Sequence, residues 1–367
     1  MKITRIDVYQ VSYRLLEQKY SWSGGHSVTQ FVSNILKIST DEGLKGFAEV
    51  CPLGPAYMEA YARGVPTGIE ELGPALIGKD PLQIKTMNTL MDSTMVGHPY
   101  VKAPLDVACW DILGQATGFP LCTLLGGRYV ESYPLYHAVS QGSSEEMAES
   151  VSRYRQEGYH TFQLKVGGHP DDDIKRINAV LESLQPGEIL VADANTGWLA
   201  HQAIRVVNAV IGKDLYIEQP CLTLEECLVV REHTRLPMVL CELMTGMDPL
   251  LRAHRQHAMD VVNLKISRVG GLTKAKQMRD LCETLGLVLT IEDPWGGDIV
   301  TATIAHLVGS TQPGFFFSST DFNSYVDLRI AEDTPTRKNG RMAVPSGPGL
   351  GIHVDEKKLG KPILTVT

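Results

Sequence analysis

Two lysines lie at the ends of short apolar runs of the kind that form buried strands. Lys165 lies in "TFQLKV" and Lys265 lies in "VVNLKIS". A lysine is rarely buried unless it is paired, and burial lowers its pKa. A lysine with a lowered pKa can be neutral and act as a general base. The sequence therefore predicts that these side chains transfer protons, although a snorkelling side chain could explain either one alone.

Polar side chains also end the other apolar runs that follow Lys165. The set comprises Asp193 with Asn195, Glu218, Glu242, Glu292 with Asp293, and Asp321. Any single member could be a helix N-cap in the following loop. The regular recurrence of the whole set instead indicates that the strand ends meet at one site.

Three carboxylates, Asp193, Glu218 and Glu242, fall between the two lysines in chain order. Carboxylate oxygens suit Mg²⁺, which keeps its remaining positions for water or substrate oxygens. Near a divalent cation in a poorly solvated site, the pKa of a lysine is expected to fall toward neutrality. The predicted chemistry is abstraction of a proton α to a carboxylate through an enediolate, with Mg²⁺ stabilising the developing charge.

An α/β fold with a (β/α)8 TIM-type barrel would bring these residues together. Between residues 126 and 330, short apolar runs alternate with segments of helical spacing. The eight runs are "YPLYHAV", "TFQLKV", "ILVADAN", "LYIEQP", "PMVLCEL", "VVNLKIS", "LVLTIEDP" and "GFFFSSTDF". Barrel enzymes place their chemistry at the C-terminal ends of such strands.

The flanking regions predict a second unit. Residues 1–125 suggest an α+β domain that begins with a strand and the hairpin "SNILKISTDEGLKGFAEV". Helices are predicted at Ala56–Leu76, Pro81–Met95 and Val101–Thr117. The Gly/Pro-rich segment 331–367 is expected to return to this domain.

Composition narrows the class of protein. The chain has 367 residues and a formal net charge of −8, which does not favour binding to nucleic acid. No apolar run is long enough for a membrane span, which needs about 20 residues. The seven cysteines are scattered without a CxxC pair, so neither a zinc site nor a disulfide framework is indicated. A cytoplasmic protein with a small-molecule substrate fits best.

These motifs resemble those of the enolase superfamily, in its muconate-lactonizing-enzyme-like subgroup. "FQLKVGG" resembles the strand-two KxK motif, with Gln163 in place of the first lysine. "VADANTGW" and "YIEQP" resemble the first two metal-ligand motifs, and "NLKISRVGG" resembles the strand-six motif. The resemblance implies a barrel with a capping domain, Mg²⁺, Lys165 and Lys265 as acid/base residues, and a homo-oligomer between dimer and octamer.

The strand-five motif departs from this pattern. The subgroup usually has Asp-Glu there, whereas "LCELMTG" has Cys241 followed by Glu242. A thiol is a poor Mg²⁺ ligand. Either Glu242 reaches the metal after a shift of the strand end, which we favour, or water fills the position. Cys241 is also the only support for a catalytically silent binding protein, which both lysines oppose.

The segment "EDPWGGDIVTATIAHL" resembles family members that act on proline derivatives. This resemblance implies dehydration of cis-3-hydroxy-L-proline to Δ1-pyrroline-2-carboxylate, with 2-epimerisation as a possible side reaction. The alternative is a 2-epimerase or racemase of proline betaine, hydroxyproline betaine or N-acyl amino acids. Which lysine is the base stays open.

Several side chains are candidates for substrate contact. Asp321 would hydrogen-bond an N–H-bearing ammonium, which favours a free cyclic amino acid over its betaine. Trp295 could stack on the ring. Trp22 and Tyr57 either contact substrate or only pack between the domains. The remaining candidates are Gln163, Asn195 and Asp293.

Overall fold

The computed structural model describes residues 1–367. Its N-terminal part packs helices against an antiparallel sheet. The strands are β1 Ile3–Arg14, β2 Tyr20–Ser21, β3 Ser27–Val28, β4 Gln30–Thr40 and β5 Lys45–Val50. The helices are α1 Gly64–Leu72, α2 Ile84–Thr94, α3 Pro99–Thr117 and α4 Leu121–Leu124. The predicted hairpin is confirmed by the antiparallel pairing of β4 with β5, and Gly43 supplies the positive φ of 86° in its turn.

The predicted helix Ala56–Leu76 is wrong over its first part. Residues 56–63 form turns, and α1 begins only at Gly64. Within that first part only Ala60 is buried, so the segment does not pack against the sheet, and a short helix without such packing is marginal. Tyr57 therefore lies on a loop that approaches the barrel.

The barrel follows as an uninterrupted series of parallel pairings. Its strands, preceded by β6 Ser132–Pro134, are β7 Tyr136–Val139, β8 Thr161–Lys165, β9 Ile189–Asp193, β10 Tyr216–Glu218, β11 Met238–Leu240, β12 Val261–Lys265, β13 Val288–Glu292 and β14 Phe316–Ser319. Its helices are α5 Ser144–Gln156, α6 Pro170–Ser183, α7 Ala200–Ala209, α8 Leu224–Glu232, α9 Met247–Arg255, α10 Ile266–Val269, α11 Leu272–Leu285 and α12 Asp298–Gly309. Because β7 and β14 do not pair, the barrel is nearly closed. The predicted fold class is confirmed.

The last segment contributes to both units. Its elements are β15 Ala331–Glu332, β16 Arg337–Lys338, β17 Arg341–Ala343, β18 His353–Val354, α13 Glu356–Leu359 and β19 Leu364–Val366. Strand β19 pairs antiparallel with β1, and β17 pairs with β6. The first predicted barrel run therefore splits, because Tyr133 and Pro134 belong to β6. The domain boundaries at 125 and 330 stay a prediction.

Two buried carboxylates of the N-terminal domain attach it to the barrel. Glu49 accepts hydrogen bonds from the N–H groups of Gly297 and Val300, at 2.9 and 3.0 Å, where α12 begins. Asp106 on α3 accepts one from the N–H of Thr273 at 2.9 Å, where α11 begins. Each carboxylate satisfies helix N–H groups that have no partner within the helix.

All seven cysteines are buried free thiols. None of the helices combines the length and the hydropathy that a membrane crossing requires.

Candidate active site

A small cavity lies at the C-terminal ends of the barrel strands. Lys165, Lys265 and Glu292 are the last residues of their strands, and all three line it. The predicted substrate contacts in the wall are Trp22, Tyr57, Gln163, Asn195 and Trp295. Trp22 and Tyr57 come from loops of the N-terminal domain, so this cavity is closed by both units.

The two lysines face each other across the barrel. Strands β8 and β12 are four apart in the sheet of eight, so their ends lie on opposite sides of the cavity. Both lysines are buried, and each forms an ion pair with one carboxylate. Lys165 Nζ lies 2.5 Å from Asp193 Oδ2, and Lys265 Nζ lies 2.5 Å from Glu292 Oε1.

These ion pairs change the expected lysine pKa values. Burial, the largest single effect, lowers the pKa of Lys165, but the surrounding groups, led by the adjacent Asp193 carboxylate, together raise it. Burial is likewise the largest effect against the charge of Lys265, and the surrounding groups, led by Glu292, together raise its pKa. The predicted decrease depends on a cation beside the lysines, and the contacts described here act in the opposite direction.

Of the predicted metal-ligand carboxylates, Asp193 and Glu218 are buried beside the cavity and Glu242 is half-buried. Glu218 accepts hydrogen bonds from Gln163 Nε2 at 2.9 Å and from Asn263 Nδ2 at 2.7 Å. Burial, with the neighbouring Asp193 carboxylate, raises the pKa of Glu218 to about 8. Glu242 Oε1 accepts from Asn195 Nδ2 at 3.0 Å, whereas its Oε2 is buried without a partner.

This donor set fits a hard cation such as Mg²⁺. Two buried oxygens, Glu242 Oε2 and Asn195 Oδ1, have no hydrogen-bond partner, and leaving them unsatisfied is costly. No three Asp, Glu, His or Cys side chains already share a metal-ligand geometry. Lys165 holds Asp193 and two amides hold Glu218, and each of these carboxylates keeps lone pairs that can bind a cation.

The two residues that differ from the strand-five motif, Cys241 and Glu242, lie just beyond the end of β11. Strand β11 ends at Leu240, so Cys241 and Glu242 lie in the following turn. Their side chains therefore need not point to opposite faces, as successive residues of a strand do. Cys241 Sγ lies 3.4 Å from Arg268 Nη1 and 3.9 Å from Tyr57 Oη. The thiol therefore faces a guanidinium, and the carboxylate beside it carries the free oxygen. This arrangement favours Glu242 as the third ligand.

Two predicted substrate contacts do not line the cavity. Asp293 accepts hydrogen bonds from the N–H of Ser267 at 2.9 Å and from its hydroxyl at 2.5 Å. Asp321 lies beyond the end of β14, accepts from Tyr159 Oη at 3.3 Å and faces Arg337. Because Asp321 is turned away from the cavity, it gives no support to a substrate that carries an N–H group.

Two residues that sequence reasoning missed, Tyr136 and Asn263, hold the carboxylate that pairs with Lys265. Tyr136 Oη donates to Glu292 Oε2, and Asn263 Nδ2 donates to Glu292 Oε1 at 2.7 Å. Strand register distinguishes Glu292 from Asp293, because Lys265 lies opposite Glu292 where β12 pairs with β13. Successive residues of a strand point to opposite faces, so only one of Glu292 and Asp293 can face the cavity.

The rest of the cavity wall is largely aromatic. The Trp295 ring stacks on Phe31 with centroids 4.2 Å apart and meets Tyr20 edge-on at 5.1 Å. Phe322 and Tyr325 complete this side. Trp295 Nε1 is buried without a partner and is therefore available as a donor. An apolar wall with few polar groups suits a small ring that carries a carboxylate.

Family models match most of the chain. The N-terminal domain of mandelate racemase/muconate lactonizing enzymes matches residues 19–126. The enolase C-terminal domain-like model matches residues 146–358. Among curated proteins, the chain is 57% identical over 363 residues to a cis-3-hydroxy-L-proline dehydratase from Roseibium aggregatum, with 99% of each chain covered. It is 30% identical to an N-succinyl-L-Arg/Lys racemase from Bacillus cereus, covering 98% of this chain and 97% of that relative.

Solved structures agree with these matches over the full chain. A mandelate racemase/muconate lactonizing enzyme from Roseovarius nubinhibens has a TM-score of 0.97 at 39% identity, covering 100% of this chain and 98% of that one. An enolase superfamily member from the same organism, complexed with magnesium, has a TM-score of 0.94 at 35% identity, covering 100% and 99%. The chain therefore belongs to the mandelate racemase/muconate lactonizing enzyme family of the enolase superfamily, in its muconate-lactonizing-enzyme-like group.

Proposed function

We propose that this protein is a Mg²⁺-dependent cis-3-hydroxy-L-proline dehydratase that forms Δ1-pyrroline-2-carboxylate, with 2-epimerisation as a side reaction. The observation that carries the reaction type is the placement of Lys165 and Lys265 on opposite sides of one small cavity beside buried carboxylates. The 57% identical dehydratase supports the choice of substrate.

The chain's own residues account for the proton transfers. One lysine, in its neutral form, removes the proton on C2 to give an enediolate. Loss of the 3-hydroxyl as water then gives an enamine, which tautomerises to the product. Return of a proton to C2 from the opposite side gives the epimer instead. Mg²⁺, held by Asp193, Glu218 and Glu242, would stabilise negative charge on the substrate carboxylate.

A second candidate is a 2-epimerase or racemase of proline betaine, hydroxyproline betaine or N-acyl amino acids. The aromatic wall around Trp295 favours the betaines, since a quaternary ammonium binds aromatic faces by cation–π contact. The N-acyl substrates are supported by the 30% identical racemase. The cavity is small and its wall is mostly hydrophobic, which suits a five-membered ring better than a long acylated side chain.

A substrate screen in D₂O with Mg²⁺, followed by NMR, tests the proposal. We expect cis-3-hydroxy-L-proline to be dehydrated and L-proline, which has no leaving group, to gain deuterium at C2. The double variant Lys165→Ala/Lys265→Ala is the control and should do neither. Deuterium in proline betaine without dehydration of cis-3-hydroxy-L-proline would instead support the epimerase.

We also propose the ion, the compartment and the assembly state of this protein. The ion is Mg²⁺, the protein acts in the cytoplasm on a small molecule, and it assembles as a homo-oligomer between dimer and octamer. The first is supported by the hard oxygen donors at the site, and the last by family resemblance.

A further inference from the structure

The Ser23 loop, residues 20–28 of the N-terminal domain, reaches the barrel through a buried serine. Ser23 is 5% exposed, and its hydroxyl donates a hydrogen bond to the carbonyl oxygen of Asn195 at 3.1 Å. Asn195 lies in the turn after β9, two residues beyond Asp193. A residue of the N-terminal domain therefore holds the backbone of the turn that follows a proposed metal ligand.

Two glycines allow Ser23 to approach this turn. A Cβ on Gly197, in the same turn, would lie 2.7 Å from Ser23 Cβ and 2.4 Å from the carbonyl oxygen of Gly167. A Cβ on Gly167, in the turn after β8, would lie 2.6 Å from Ser23 Cβ. Carbon atoms in van der Waals contact are normally about 3.5 to 4.0 Å apart. Ser23 is therefore closely packed against the turns that follow two neighbouring barrel strands.

Asn195 links two of the proposed metal ligands. Its N–H donates to Asp193 Oδ1 at 2.8 Å, and its side-chain Nδ2 donates to Glu242 Oε1 at 3.0 Å. Asn195 and Thr196 both have a left-handed backbone, with φ of 42° and 65°. Residues other than glycine keep this conformation only where the surrounding structure holds it. The hydrogen bond from Ser23 to the carbonyl of Asn195 is one contact that does so.

We propose that Ser23 is a positioning residue for the metal site and acts through Asn195. It keeps the Asp193 and Glu242 carboxylates oriented, so docking of the Ser23 loop and binding of Mg²⁺ strengthen one another. The coupling is reciprocal, because a contact that favours the orientation bound by the ion is itself favoured once the ion is bound. Trp22 of the same loop lines the cavity, so the coupling also links the ion to closure of the substrate site. This inference rests on the proposed Mg²⁺-dependent function and extends it.

Isothermal titration calorimetry of Mg²⁺ binding without substrate tests the effect of the loop on the ion. Ser23→Ala should raise the Kd for Mg²⁺ by about 3- to 10-fold. Asn195→Ala, which removes a direct partner of Glu242, should raise it by about 10- to 100-fold. Ser27→Ala is the matched control, because Ser27 is an exposed serine of the same loop, and its Kd should be unchanged. Circular dichroism checks that each variant is folded.

Limited digestion with trypsin tests the effect of the ion on the loop. Lys19 is exposed and immediately precedes the Ser23 loop. Mg²⁺ should slow cleavage after Lys19 by about 3-fold or more in the unmodified protein and in Ser27→Ala. In Ser23→Ala the ion should give less protection at the same concentration relative to its Kd. Mass spectrometry identifies the cleavage site, and the measurement does not depend on activity.

The outcomes distinguish this inference from the proposed function. If the unmodified protein and Ser23→Ala bind Mg²⁺ equally well, the inference fails and the proposed function stands. A weaker affinity of Ser23→Ala with undiminished protection of Lys19 would show that Ser23 only stabilises the turn, which also overturns the coupling. If the unmodified protein binds no Mg²⁺, the proposed Mg²⁺-dependent function itself fails.

Discussion

Cys241 and Glu242 are neighbours in sequence but meet different groups at the end of β11. The Cys241 thiol is fixed by Arg268 and approaches Tyr57 of the capping loop. One carboxylate oxygen of Glu242 accepts a hydrogen bond from Asn195, and the other is buried without a partner. A soft, protonated thiol is a poor partner for Mg²⁺, whereas a carboxylate oxygen is a good one. Burial also raises the pKa of the Cys241 thiol, which keeps it protonated.

At the residue scale, substitutions at these two positions should affect Mg²⁺ binding very differently. Glu242→Gln removes the anionic oxygen, so we expect the Kd for Mg²⁺ to rise by more than about 10-fold, the least that outer-shell changes commonly cost. Cys241→Ser should change the Kd by less than about 3-fold. Isothermal titration calorimetry measures both values. A large effect of Cys241→Ser with none from Glu242→Gln would contradict the choice of ligand.

At the scale of elements, Glu49 of β5 links the capping domain to helix α12. Its carboxylate accepts from two N–H groups of the first turn of α12 and from the Ser33 hydroxyl at 2.8 Å. Close packing at this junction requires a glycine, because a Cβ on Gly297 would lie 2.4 Å from Tyr13 Oη. Since Trp295 lies just before α12, the same contact helps to place the aromatic wall of the cavity.

Glu49→Ala should therefore destabilise the protein more than the loss of a few side-chain atoms would. It leaves buried N–H groups without an acceptor, so we expect the free energy of unfolding to fall by about 2 to 3 kcal/mol. Urea denaturation followed by circular dichroism measures the change. The exposed Glu332 offers a matched control, for which Glu332→Ala should stay within about 0.5 kcal/mol. Equal effects of the two substitutions would refute the proposed link.

At the scale of the whole molecule, His306 of α12 joins three parts of the chain. Its Nδ1 accepts from the N–H of Cys122 at 3.2 Å, and its Nε2 lies 2.9 Å from the carbonyl oxygen of Leu350. Helix α4, helix α12 and the C-terminal segment therefore meet at one buried imidazole. Burial lowers the pKa of His306 to about 4, so this imidazole is neutral in the folded protein.

This lowered pKa predicts a loss of stability in mild acid. As pH falls below about 6.5, the histidine of the unfolded chain takes up a proton that the folded protein does not bind. Unfolding is then favoured, and the stabilisation contributed by neutral His306 falls until pH reaches its folded pKa of about 4. Between about pH 7.5 and about pH 5 the loss should be about 2 kcal/mol.

Comparison with His306→Gln isolates this contribution from those of other titrating groups. Glutamine keeps a donor and an acceptor but does not titrate. Urea unfolding at both pH values should show the variant less stable than the unmodified protein near neutrality, with a difference that narrows in acid. A difference independent of pH would contradict the role of His306.

The barrel could be predicted because each strand and helix carries its own local signal. Apolar runs that alternate with helical periodicity are determined by side-chain type and spacing, and both survive without tertiary context. The same is true of the polar residues at the strand ends, including Lys165 and Lys265. Local spacing was misleading at residues 56–63, where apolar residues recur at helical spacing but only Ala60 is buried, so tertiary packing does not stabilise a helix there.

The sequence by itself therefore determined the barrel, the capping sheet and the residues that reach the strand ends. Tertiary structure alone decided which of them share the cavity. Glu292 faces Lys265, whereas Asp293 faces Ser267 and Asp321 faces Tyr159. The physical reason is that the direction of a side chain depends on strand register and on where each strand ends. Both are set by contacts between segments far apart in the chain.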